Sequence, residues 1–280
     1  MRSVRRAAAL ALLIVAWIVP LRAAQQAAAP APVTLTPARM EEFLLHAKVV
    51  RTRGVGTGVT NTRRATLSDA VLTHDAQIQI IDQSLAVFQA PGAKSELNFK
   101  DSYRYNVAAY RVAVLLGLDN VPMSVERRIE GKQAAVTWWI DDVMMDEKAR
   151  LAKDVRGPDP ERTAMQTHIM RVFDELIANR DRNMGNLLWT TDWKMWMIDH
   201  TRAFRLATDL QRPATLLRVD RLLFDHMRML TSDAVAKAVG SSLSRFEIQA
   251  MLARRDAIVK WFETKIAERG EPAIVYTLRR

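Results

Sequence analysis

The sequence predicts an α+β chain in two lobes, a small strand-rich one followed by a mostly helical one. Three observations carry that expectation. Residues 49–81 are rich in Val, Thr and Ile, and apolar positions alternate on both sides of a Gly-x-Gly-x-Gly turn at Gly54, Gly56 and Gly58. From residue 161 onward, apolar residues recur at helical spacing over long runs. Between those runs, "NLLW" and "KMWMI" are two short apolar segments joined at Thr191–Asp192.

Element by element, "PARMEEFLLHAK" has the helical spacing of a short first helix. Strand–turn–strand–turn–strand follows over 49–81. A helix is expected over 101–118, with a stripe through Val107, Tyr110, Val114 and Leu115 and a stop at Gly117. "NVPMSVERRIEGKQAAVTWWI" reads as two strands around a Glu-Gly-Lys turn. The long helix "ERTAMQTHIMRVFDELIANR" places Met165, Ile169, Val172, Phe173, Leu176 and Ile177 on its apolar side. After the two short strands, helices are expected at about 218–230, 232–239 and 244–268. The lobes divide into 39–140 and 141–280, and no internal repeat is evident.

At 280 residues the chain is long enough for one large domain or two lobes around a cleft. It has no cysteine, which excludes disulfides, thiolate metal sites and cysteine nucleophiles. Its five histidines lack metal-ligand spacing, which argues against a zinc enzyme. Net charge is +10, but Arg63–Arg64, Arg127–Arg128 and Arg254–Arg255 are scattered pairs without interleaved aromatics, so nucleic acid is not the expected partner. Trp138, Trp139, Trp193 and Trp196 read as core and hinge packing, and the methionines as core filling. His74 and His168 read as hydrogen-bonded structural histidines.

The N-terminus, "MRSVRRAAALALLIVAWIVPLRAAQQ", has three arginines, an apolar run of about fifteen residues, then small residues. That is the layout of a signal peptide over 1–24, with cleavage near Ala23 or Ala24 and export to a periplasm or outside the cell. The run is short for a membrane span, and an uncleaved anchor is the alternative. An Ala/Pro-rich tether is expected over 25–38.

"IANRDRNMGNLLWTTDWKMWMIDHTRAF", residues 177–204, carries the chemistry. A long helix ending just before Asp181 presents that carboxylate from a loop. Two antiparallel strands then carry the chain away and back, bringing Asn186 and Asp199 together as hard oxygen ligands for one divalent ion. Mg²⁺ suits such a site, completing its shell with water and substrate phosphates. Asp181 is then free to take a proton from an attacking hydroxyl. The pattern fits phosphoryl transfer, where catalysis is chiefly positioning and charge neutralisation. A helix-terminating turn, with Asp and Asn bonding the backbone, accounts for Asp181–Asn183 alone but not for Asp199.

In these residues the chain resembles the atypical branch of the protein-kinase-like superfamily: phosphoinositide 3- and 4-kinases, HipA toxin kinases and secreted Golgi kinases. The D-x-x-x-x-N of Asp181 to Asn186 resembles the catalytic loop, and "IDHTRAF" resembles the metal-binding segment. The resemblance is specific over 170–205 and looser over 54–140. It implies a two-lobed kinase-like fold using Mg-ATP. Asp181 would be the base, Asn186 and Asp199 would hold metal, and Arg182 would contact phosphate or the loop backbone. Gly54, Gly56 and Gly58 would cover the nucleotide, and "WWIDDV", with Trp139, would form the hinge against which adenine packs. The family also has a lysine on the third strand paired with a glutamate on the next helix. "AQIQIIDQ" has no lysine, and the helix offers Arg104 and Asn106; Lys100 is the candidate to enter from another segment, with Glu96 or Asp101 as partner.

Two functions from different classes follow. One is an exported or membrane-tethered kinase with an unidentified hydroxyl acceptor, whether protein, lipid or small molecule. The other is a kinase-fold pseudoenzyme acting as a binding or scaffold module. A third reading, a basic scaffold at a membrane surface, needs a retained N-terminal helix.

Overall fold

The Thr36 hydroxyl accepts the Arg39 amide proton and Pro37 fills the first turn, so the first helix, α1 (Pro37–His46), starts inside the stretch read as tether. A computed structural model describes residues 35–54, 62–89, 92 and 95–279. The signal segment, most of the tether, and Gly56 and Gly58 lie outside the described residues.

Strands β1 (Lys48–Gly54), β2 (Arg63–Ser68) and β3 (Thr73–Gln79) follow, each antiparallel to the next. Next comes a hairpin, β4 (Asp82–Phe88) and β5 (Glu96–Ser102), which the sequence pattern did not announce. Its polar alternation is weak, and Leu85 and Val87 are exposed. Helix α2 (Arg104–Leu115) therefore begins later than expected, because Asp101 and Ser102 belong to β5. Strands β6 (Ser124–Ile129) and β7 (Lys132–Trp138) turn at Gly131, and the five-stranded sheet has the order β1-β2-β3-β7-β6. Phe43 and Leu44 of α1 pack on its apolar face with Leu67, Ile78, Val136 and Trp138.

Of the stripe expected on α2, Val107 is buried and Tyr110 and Leu115 pack partly against the core, but Val114 is not part of the buried face. Val114 is 52 % exposed, while Tyr105, Asn106, Ala108, Ala109, Val112 and Ala113 are buried. Three alanines on this buried face let the helix backbone approach its neighbours closely. Residues from this helix join the large core of the second half.

That half opens with β8 (Val143–Asp146) and a short α3 (Glu147–Ala152) capped by Asp146, neither legible beforehand. Helix α4 (Pro160–Leu176) starts at an Asp159 cap and buries Ile169, Val172, Phe173 and Leu176. Strands β9 (Leu187–Thr190) and β10 (Met195–Met197) form the expected hairpin, and β8 adds to the outer side of β9. The buried Gln166 amide ties α4 to that hairpin: Nε2 donates to the Trp193 carbonyl (2.9 Å), and Oε1 accepts from the Met195 amide (2.8 Å). Strand β11 (Val219–Asp220) leads into α5 (Arg221–Met229), α6 (Ser232–Val239) and α7 (Arg245–Arg269), close to the expected helices. Strand β12 (Val275–Tyr276) pairs parallel with β11.

Candidate active site

Asp174, buried on the last turn of α4, organises the loop that follows. Its carboxylate accepts from both Arg182 Nε and Nη2 at 2.9 Å, and from Asn179 Nδ2 at 3.0 Å. Arg182 Nη1 then reaches the carbonyls of Ile198 (2.6 Å) and Asn186 (3.2 Å). One guanidinium thus holds the helix end, the loop and the end of β10 together. Only 5 % of its side chain is exposed, so Arg182 contacts the loop backbone and is not aimed at a phosphate; it is a positioning residue.

The β9–β10 register sets the next pair. Leu187 lies opposite Met197, and the Ile198 amide donates to the Asn186 carbonyl at 3.0 Å. Asn186 and Asp199 therefore flank the mouth of one hairpin. Asp199 has a left-handed backbone (φ +55°), as do Ala178 (+50°) and Phe204 (+56°), a conformation costing on the order of 1 kcal/mol each. Bonds around them fix it: the His200 amide donates to Asn106 Oδ1 (2.7 Å), the Thr201 hydroxyl to Asp199 Oδ1 (3.1 Å), and the Phe204 amide to the Ile177 carbonyl (2.6 Å). Arg254, fully buried on α7, adds bonds to the carbonyls of Leu176 (2.9 Å) and Arg205 (2.8 Å); burial lowers its pKa to about 10.

Asp181 is half exposed, and its Oδ2 lies 3.1 Å from Arg202 Nη1. Arg202 and Arg205 both pair with Glu96 of β5, at 3.2 and 2.8 Å, and lie over the Phe99 ring. The β4–β5 hairpin thereby grips the segment after Asp199. Asp101, expected as a partner for Lys100, lies instead beside Thr201 and feels the charges of Asp199 and Asp181. It is 9 % exposed, and its Oδ1 has no hydrogen-bond partner among the described residues. Burial pushes its carboxyl up, and the charges of Asp199 and Asp181 push the same way against the Thr201 hydroxyl and Arg202. His200 is fully buried, edge-on to Phe173, and burial holds its pKa far below the usual histidine value. Among the described residues, no three His, Cys, Asp or Glu side chains converge to hold a metal without further ligands.

Gln77, Asn106, Thr137, Asp199 and His200 line a cavity of about 10 Å³ between the sheet and the hairpin mouth, room for about one water. The fold is shared with solved structures. Hydra Fam20 with sugar is similar with a TM-score of 0.65 and 12 % identity, covering 86 % of this chain and 92 % of that one. The Golgi casein kinase with Mn/ADP bound gives 0.60 and 12 %, covering 85 % and 78 %. The Helicobacter pylori proinflammatory kinase CtkA gives 0.51 and 10 %, covering 80 % and 97 %. The fold is atypical protein-kinase-like. No protein-family model matches the sequence, and no curated protein does.

The kinase-like fold makes the remaining expected residues readable. Lys100 does not turn toward Asp199. Its ammonium sits 2.8 Å from Glu247 Oε1, which also accepts from the Tyr105 hydroxyl, while Glu247 Oε2 accepts the Ser244 amide proton in the cap of α7. Burial pushes Glu247 up, but Lys100, Tyr105 and Ser244 together hold it below the usual range, so the acid anchors the lysine. The third strand of the kinase-like N-lobe instead presents Gln79, whose Oε1 accepts from Asn106 Nδ2 on α2. A neutral amide pair stands where the resemblance called for lysine and glutamate. Trp139, expected against adenine, carries the Arg64 guanidinium 4.1 Å above its ring. Gly54 ends β1 opposite Arg63.

Proposed function

We propose that the chain is a Mg-ATP-dependent phosphotransferase acting on a hydroxyl acceptor. The observation that supports this most is the Asn186–Ile198 backbone bond, which sets two oxygen donors at one hairpin mouth beside Asp181. The donor set fits magnesium: an amide oxygen and a carboxylate leave most of the shell for water and phosphate. The ion would neutralise phosphate charge. As the acceptor oxygen bonds to the γ-phosphorus, the bond from that phosphorus to the ADP oxygen would break and ADP would leave with the electron pair. Asp181 would receive the acceptor's proton, and Arg202 would keep that carboxylate oriented. The reading includes export through the N-terminal segment; a mature N-terminus near Gln25 would support it, and an intact Met1 would point to the anchored alternative.

A second reading, a kinase-fold binding module, draws on one specific observation. Among the described residues no lysine is ion-paired with Asp181, Asp199 or Asp101; Lys100, Lys194 and Lys265 pair elsewhere. Calorimetric titration of ATP into the chain, with and without Mg²⁺ and beside Asp199→Ala, separates the two readings. Magnesium-dependent binding lost in the variant is expected for a nucleotide site. Silence from folded protein would sink the kinase reading and favour the module.

A further inference from the structure

Arg51, Arg127 and Arg128 are far apart in sequence, yet they line one groove. Strands β1 and β6 are the two terminal strands of the five-stranded sheet, and each leaves one edge unpaired among the described residues. Both line a groove of about 430 Å³, with residues 49–52 along one side and 127–130 along the other. Register shifts between Val49 and Arg51, and Val50 at that irregularity is 58 % exposed. Such a groove offers free backbone donors and acceptors together with an apolar contact.

Its charge is one-sided. Arg51 and Arg128 are exposed, and their side chains have no hydrogen bond or ion pair among the described residues. Arg127 lends Nη1 to the Leu44 carbonyl at 3.0 Å and has no carboxylate partner there. The single acid of the lining, Glu130, is paired with Arg63 at 2.9 Å. We propose that this groove binds an extended acidic segment of a partner protein, which adds as a strand along the β1 or β6 edge. Main-chain bonds would supply affinity, and alternate acidic side chains would meet the arginines. Charges also serve to shield open edges from aggregation. Shielding alone accounts for neither the recess between the two strands nor the exposed valine within it. None of the lining residues belongs to the Asp181, Asn186 and Asp199 cleft, so the inference goes beyond the phosphotransfer reading.

The test is fluorescence anisotropy of the full chain with a labelled short peptide of alternating glutamate and valine, beside its lysine–valine counterpart. The glutamate peptide is expected to bind, Arg51→Glu/Arg128→Glu to weaken it at least tenfold, and Lys237→Glu/Lys260→Glu, an equal charge change on exposed C-lobe helix positions, to weaken it far less. Amide exchange is expected to slow at 49–52 or 127–130 when the peptide is bound. Asp199→Ala should bind it like the wild type. Equal losses in the two double variants would reduce the effect to net charge and overturn the proposal. So would protection appearing elsewhere, or phosphatidylserine vesicles bound through Arg51 and Arg128 while the peptide is not.

Discussion

Asn106 joins Gln79 to the residue after Asp199: its Nδ2 donates to Gln79 Oε1, and its Oδ1 accepts the His200 amide proton at 2.7 Å. Gln79 is 1 % exposed and Asn106 6 %. The strand, the helix and the segment after β10 are therefore coupled by an uncharged relay. Unlike an ion pair, it needs no charge taken out of water.

Placing a lysine alone at Gln79 buries an unpaired cation, so Gln79→Lys is expected to lower stability by about 3 kcal/mol or more. Gln79→Lys with Asn106→Glu should recover much of that loss. Urea unfolding of wild type, both single variants and the double variant measures the coupling; strict additivity would contradict the relay.

Arg182 and Asp174 form a buried bidentate pair. Arg182→Ala leaves the carboxylate unpaired and should cost about 3–5 kcal/mol. Arg182→Lys should rescue little, because one ammonium cannot span Asp174 and two carbonyls. Thermal melts of both variants check this, and a lysine variant as stable as wild type would count against it.

Lys100 is 41 % exposed and held by Glu247, away from Asp199. Lys100→Ala should therefore leave nucleotide affinity unchanged and lower stability by no more than about 1 kcal/mol. A tenfold loss of ATP affinity in calorimetry would return Lys100 to the phosphate site.

His168 on α4 differs from the sequence expectation: its Nδ1 is buried with no hydrogen-bond partner among the described residues. Burial first, then Arg171 and Arg218, lower its pKa from 6.5. The folded state then binds fewer protons than the unfolded state as pH falls below 6.5, so stability is full above that value and declines beneath it. Replacing it by His168→Gln should flatten the decline, by less than about 1.4 kcal/mol per pH unit. Denaturant midpoints measured between neutral and mildly acidic pH test the sign.

The juxtaposition of Asn186 and Asp199 was legible because it is local. Asp181, Asn186 and Asp199 are joined by one short hairpin, and hairpin register follows from apolar alternation. What escaped the sequence depends on partners far along the chain. Lys100 has the right charge and neighbourhood, but Glu247, on a helix near the other end, decides where its ammonium rests. Asp101 looks like the start of a helix until its strand pairing places it beside Thr201; the Ser102 amide donates to the Thr201 carbonyl at 2.8 Å. In α2 the buried face runs through Tyr105, Ala108, Ala109 and Val112 as well as Val107, and only packing against both the sheet and the second half decides that Val114 is left outside.

Arg254 bears on the order in which the molecule is assembled. Every motif residue of the loop precedes it in the chain, yet the carbonyls at Leu176 and Arg205 that flank the loop are anchored by its guanidinium. A nascent chain released as far as Asp199 has all the candidate chemistry but lacks this rivet. The loop then matures only when α7 has emerged and docked, so synthesis itself delays the appearance of a formed site.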